Sequence, residues 1–163
     1  MTFPWVEYLR LAEALLQSQG SFAHQEACVR ASMSRAYYAV FCAARNHAVT
    51  QEGLVIPGTG RDHRLVQHHF QHGPTPEHVT LGWLLSRLRR ARNQADYADR
   101  MQQAGLRAQE AILSAQQAFA VLHILTQRSQ GPSETPDAEC GLFTLVLPAA
   151  PELPGDRPCQ SPR

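Results

Sequence analysis

The chain has 163 residues and sets 15 basic side chains against 14 acidic ones. A net charge of +1 excludes a polycation that coats nucleic acid or membrane over its whole surface, so any anion site must be local. The length suits one ordinary domain with a core of its own, and because every basic residue is Arg, each basic contact can be planar and bidentate.

Taken in order, residues from about Pro4 to Ser18 predict a first helix. Pro4 is tolerated in its opening turn, and Trp5, Tyr8, Leu9, Ala12, Leu15 and Leu16 share one face. Gly20 ends it. A second, long helix is expected from Ser21 or Phe22 to about Gln51, with Gly53 as the next breaker. It carries two apolar faces, one with Ala31, Tyr38 and Cys42 around Arg35, the other with Ala36, Tyr37, Val40, Phe41, Ala44 and Ala48. A helix apolar on two sides belongs at the centre of a bundle, and Arg35 in a packed face needs a partner.

The run from Gly53 to Gly60 reads as a loop, since its glycines lack the strand, spacing and Lys of a phosphate loop. A short helix follows from about Asp62 to Gln71. Its His68 and His72 stand one turn apart, but no third ligand of the H-E-x-x-H kind accompanies them, so no metal or cofactor is expected. Gly73 to Pro76 breaks the chain, with Thr75 as a cap before Glu77 and a fourth helix. Gly105 marks an interruption, and a last helix runs from about Leu106 to Gln127. The bundle domain thus spans 1–128. Residues 129–163 hold seven of the 11 prolines and predict a largely disordered tail, apart from an apolar run from Gly141 to Leu147.

Cys28 and Cys42 fall in a helical pattern and Cys140 and Cys159 in the tail, with no metal-ligand spacing, which fits reduced, cytosolic usage. The N-terminus lacks the basic start and apolar core of a signal peptide, and no apolar run approaches the length of a membrane span. A cytoplasmic protein with no membrane partner is expected.

The chemistry concentrates between Leu84 and Tyr97. Leu81, Leu84, Leu85, Leu88, Ala91 and Ala95 form the buried stripe of a helix, and beside it Arg92 stacks on Asp96, Asn93 on Tyr97, with Arg89 a turn earlier. The spacing fits two accounts. One is a structural Arg92 to Asp96 ion pair with Tyr97 as a lid over the core; the other is an anion site built from an Arg, an amide, a carboxylate and a phenol.

Three segments then bear on the choice. Arg35-Ala-Tyr37-Tyr38-Ala-Val-Phe41-Cys-Ala-Ala-Arg45 resembles the "R-x-Y-Y-A-x-F-x-A-A-R" helix of bacterial HEPN domains. Asp62-His63-Arg64 followed by Phe70, and Arg92-Asn93-Gln-Ala-Asp96-Tyr97, resemble two further motifs of that family, in the same order. The resemblance covers roughly residues 5 to 127. It implies an all-α, antiparallel four- to five-helix bundle that forms a homodimer. It also implies RNA binding or metal-independent ribonuclease activity of the toxin-antitoxin and defence type, with a minimal nucleotidyltransferase as antitoxin partner.

Cleaving RNA without a metal needs a base for the 2′-hydroxyl and a cation for the phosphorane. His and Arg suit those tasks. Arg92 and Asn93 stand in the motif, whereas Tyr97 stands where the nearest family spacing has His, so the base is expected from Asp96 or from His63 on another helix. On this reading Arg92, Asn93, Asp96 and His63 are the catalytic set, Arg89, Arg92 and Arg35 bind RNA, and Tyr97 is the residue an antitoxin would modify. Two other readings stay open: a non-catalytic module for a nucleotide or protein, and a helical adaptor that recruits a partner through Leu142 to Leu147.

Overall fold

The computed structural model describes residues 3–18 and 23–129. The Gly20 breaker, the proposed start at Ser21 or Phe22, the tail from residue 130 and its apolar run 141–147 lie outside the described residues. Within them the chain is all-α: α1 (Val6–Gln17), α2 (Gln25–Gln51), α3 (Asp62–Gln71), α4 (Pro76–Tyr97) and α5 (Ala104–Ser129).

α2 touches each of the other four helices, the central position its two apolar faces predict. Small side chains allow the close approach: Ala36, Ala39, Ala44 and Ala48 of α2 and Ala108, Ala115 and Ala118 of α5 are wholly buried. Between them Met33, Val40, Val66, Phe70, Leu81 and Leu88 fill the interior, and a fully buried Leu such as Leu88 contributes about 2 kcal/mol. Direction follows from cross-contacts. Arg30 near the start of α2 donates to Ala95 O and Ala98 O at the end of α4, while Glu52 just past α2 meets His78 in the first turn of α4. α4 therefore runs antiparallel to α2. It is antiparallel to α5 as well, with Arg128 on Glu77 at one end and Arg107 on Gln94 at the other.

Three local expectations are corrected. α1 begins at Val6 rather than Pro4. α2 begins at Gln25, after an extended His24. Gly105 does not interrupt the chain but lies in the first turn of α5, where the left-handed residue is Gln103, with φ 53°. A first-turn glycine is tolerated because helix N–H groups there have no intrahelical partner to lose.

Two glycines hold α3 against α4. A Cβ on Gly82 would lie 2.5 Å from Gln71 N, and one on Gly73 would lie 2.5 Å from His78 Cβ. No side chain fits at either place, so α3 lies nearly backbone-to-backbone on the start of α4.

Candidate functional site

Arg92 is the hub of a patch formed by α2, α3 and α4. Its Nε stands 2.7 Å from Asp96 Oδ2, its Nη1 donates to Asn93 Oδ1 at 3.1 Å and its Nη2 donates to Tyr38 Oη at 3.1 Å. The Nε–H does not point along the Asp96 contact, which makes this a charge pair rather than an aligned hydrogen bond. The guanidinium also lies over two aromatic rings, Tyr38 at 5.5 Å and Tyr97 at 5.4 Å. The local part of this follows from helical spacing. Tyr38 arrives from α2, a partner the sequence stretch itself did not indicate.

Tyr97 is 73% exposed, which overturns its reading as a lid over the core. The next residue, Ala98, turns to extended backbone, so the phenol stands at a helix end with little to cover it.

His63, in the first turn of α3, faces the same patch. Its Nδ1 is 2.7 Å from Tyr37 Oη, and its ring packs on Phe41 at 4.1 Å and edge-on to Tyr38 at 6.1 Å. Burial lowers its pKa below the usual histidine value, and the positive charges of Arg89 and Arg92 lower it further against a weaker pull from Asp62. Burial also holds the Tyr37 phenol far above its ordinary pKa, with Arg89 and Arg92 opposing. The pair is thus a neutral imidazole bonded to a phenol that keeps its proton. Where the Tyr37 hydroxyl donates to Nδ1, His63 Nε2 carries the ring hydrogen; in the other tautomer Nδ1–H donates to Tyr37 and the Nε2 lone pair is available as a base.

Of the residues singled out from the sequence, Arg89, Arg92, Asn93, Asp96, Tyr97 and His63 come together. Arg35 goes elsewhere: its guanidinium covers the Tyr8 ring of α1 at 5.5 Å, which supplies the partner its packed position demands. Arg90 lines a separate groove of about 370 Å³ between α4 and α5, with Arg87, Gln94 and Arg107. Tyr37, Tyr38 and Phe41 were missed as site residues. Their common signal is the aromatic run of α2, which reads equally well as core.

Thr75 begins α4 but does not cap it with its side chain; its hydroxyl bonds the His78 ring instead, at 2.8 Å. The histidines of α3 also divide. His68 and His72 are exposed and stack on each other at 4.1 Å, whereas His69 turns inward to Glu52.

An all-α bundle with a His–Arg–aromatic patch is the class that fold and geometry define. Comparisons with protein-family models, with curated proteins and with solved structures find no match.

Proposed function

We propose that the chain is a HEPN-type protein that binds RNA at the Arg92 patch and cleaves it without a metal. The observation that carries this reading is the convergence of His63 from α3 and Arg92 from α4 on the Tyr38 ring, where the charges of Arg89 and Arg92 help to hold His63 neutral. Arg92 and Arg89 would hold the phosphate, Asn93 would orient it, and His63 Nε2 would take the 2′-hydroxyl proton. Asp96 is engaged by Arg92, which leaves His63 the better-placed base. The homodimer, the cytoplasmic location, the nucleotidyltransferase antitoxin and the modification of Tyr97 belong to the same proposal. Exposure of the Tyr97 phenol supports the last of these.

A second reading is a non-catalytic module for a nucleotide or protein. It is favoured by Arg92 already meeting Asp96, Asn93 and Tyr38 within its own fold. The two separate in low-salt, chelator-treated buffer, where phosphate contacts are strongest. On the first reading Arg92→Ala weakens RNA binding and His63→Ala abolishes cleavage with binding retained. Binding that is never followed by cleavage supports the second, and wild-type protein that neither binds nor cuts RNA ends the RNA proposal.

A further inference from the structure

Where α4 faces α5 rather than α2 and α3, the two helices leave an open cleft, the groove of about 370 Å³ that Arg90 lines. Two contacts cross it. Arg87 Nη2 stands 3.7 Å from Glu110 Oε2, and Arg107 Nη1 donates to Gln94 Oε1 at 2.6 Å. Beside these crossings the helices carry only Ala91 and Ala111, so the opening keeps an apolar floor, completed by Met33 and Leu88. Arg90, on the exposed face of α4 between Arg87 and Gln94, makes no hydrogen bond or ion pair among the described residues. A second cleft of about 310 Å³ continues the first, since Gln94 and Arg107 line both. It adds Arg100 and no carboxylate; Asp99, the neighbour of Arg100 in sequence, is not in its wall.

Three guanidiniums therefore meet one carboxylate in the first cleft, and Arg100 and Arg107 meet none in the second. That is a local excess of positive charge in a chain whose net charge is only +1. A basic rim over an apolar floor fits a polyanion that carries flat, uncharged faces along its length, which describes a nucleic-acid strand better than a run of acidic side chains. Helices packed at about 8 to 10 Å between axes leave a slot for one strand, not for a duplex. The clefts also connect to the Arg92 patch. Tyr97 is mostly exposed at the end of α4 with the Arg92 guanidinium 5.4 Å from its ring centre, and the next residue, Ala98, lines the second cleft. An exposed ring between two sets of Arg side chains is a platform on which a base stacks while the backbone passes from one set to the other.

We infer that the two clefts form a track for single-stranded RNA, which extends the Arg92 patch across the end of α4. The inference rests on the RNA reading and narrows it, from RNA in general to an unpaired strand of about six nucleotides or more, a usual length for single-strand sites. The patch holds the phosphate at the cut and Tyr97 stacks an adjoining base. Arg100, Arg107, Arg90 and Arg87, in that order, take the phosphates beyond it. Contacts to phosphate carry no sequence information, so the track selects strandedness and length rather than bases.

The test measures binding of the full chain to fluorescent 2′-O-methyl oligouridylates, a short one of about three nucleotides and a long one of about nine, by anisotropy over a range of salt. These probes have no free 2′-hydroxyl and are not cut. Wild type should bind the long strand at least about tenfold more tightly than the short one and with a steeper salt dependence. Arg90→Ala/Arg107→Ala, at two exposed positions, should keep the helical spectrum and the affinity for the short strand, lose the advantage of the long one, and flatten its salt slope by about 1.4, or about 0.7 for each phosphate contact. Arg10→Ala/Arg128→Ala removes the same charge from exposed positions on α1 and at the far end of α5 and should bind like wild type. The inference is overturned, with the RNA reading intact, if the Arg90→Ala/Arg107→Ala variant keeps the wild-type affinity and slope for the long strand, or if Arg10→Ala/Arg128→Ala loses as much. It is equally overturned if the long strand annealed to its complement, or an oligoglutamate peptide of similar length, binds as tightly as the single strand. If neither oligonucleotide binds, the RNA reading falls and the track falls with it.

Discussion

His63 and His78 each engage a hydroxyl through Nδ1, Tyr37 for the first and Thr75 for the second. The other side of each ring differs. His63 looks toward Arg89 and Arg92, whereas His78 joins His47 and His69 around Glu52. One imidazole is thereby kept from taking up a proton, and the others are gathered around a carboxylate. The chain's eight histidines are therefore not one population. What a histidine can do here is set by the sign of the charge that its helix packing brings within a few ångströms.

Removing the carboxylate from each region should separate them most. Burial would raise the Glu52 pKa, but the hydrogen bond from His69 and the charges of His78, His47 and His69 outweigh it, and the group lies below its ordinary value. Glu52→Ala leaves three imidazoles around an uncompensated hole and should cost about 3 kcal/mol or more in urea unfolding. Asp96→Ala, at the half-exposed patch, should cost about 1 kcal/mol or less. Equal losses would mean that the two carboxylates are alike and that the distinction drawn between the regions is wrong.

The next effect sharpens the patch itself. Arg92→Ala removes the contacts to Asp96, Asn93 and Tyr38 and should lower stability by about 1 to 2 kcal/mol. Arg90→Ala, an exposed position in the neighbouring groove, should stay within about 0.5 kcal/mol of wild type. Chemical denaturation of both variants at one salt concentration checks the difference.

A smaller, signed effect comes from pH. The folded-state pKa of His63 lies below its ordinary value of about 6.5, so in that interval the unfolded chain binds more protons than the folded one. The stability from keeping His63 neutral is present above pH about 6.5 and is lost as pH falls through the folded value. Wild type should therefore lose more Tm on acidification than His63→Gln. A steeper loss in the variant would reverse the sign and refute the assignment. The smallest change is expected from Tyr97→Ala, within about 0.5 kcal/mol because the side chain is mostly exposed, whereas a core aromatic would cost about 3 kcal/mol or more.

The sequence made the helices legible where period and punctuation agree. α3 has the expected bounds, Asp62 to Gln71, because glycines stand on both sides of a clear apolar pattern. It misled where punctuation was ambiguous, at Pro4 before α1 and at Gly105 inside α5. At the site, the Arg92 to Asp96 contact was readable because it spans one turn of one helix. Tyr38 was not, since its bond to Arg92 joins residues 54 apart in sequence. The Glu52 cluster was not readable at all. Its members come from three helices and a helix end, and each histidine alone looks like the solvated or packed residue that His68 and His72 prove to be.

α3 carries one member of each region, His63 in its first turn and His69 in its last. About 9 Å of helix axis lies between them, and an intact helix of that length turns as a rod. The glycine contacts at Gly73 and Gly82 leave it little room to slide along α4, so rotation about its own axis is its freer movement. A turn of α3 as a whole would move the His69 ring against Glu52 and the His63 ring against Phe41 together. In mechanical terms α3 is a crankshaft that carries one histidine of each region.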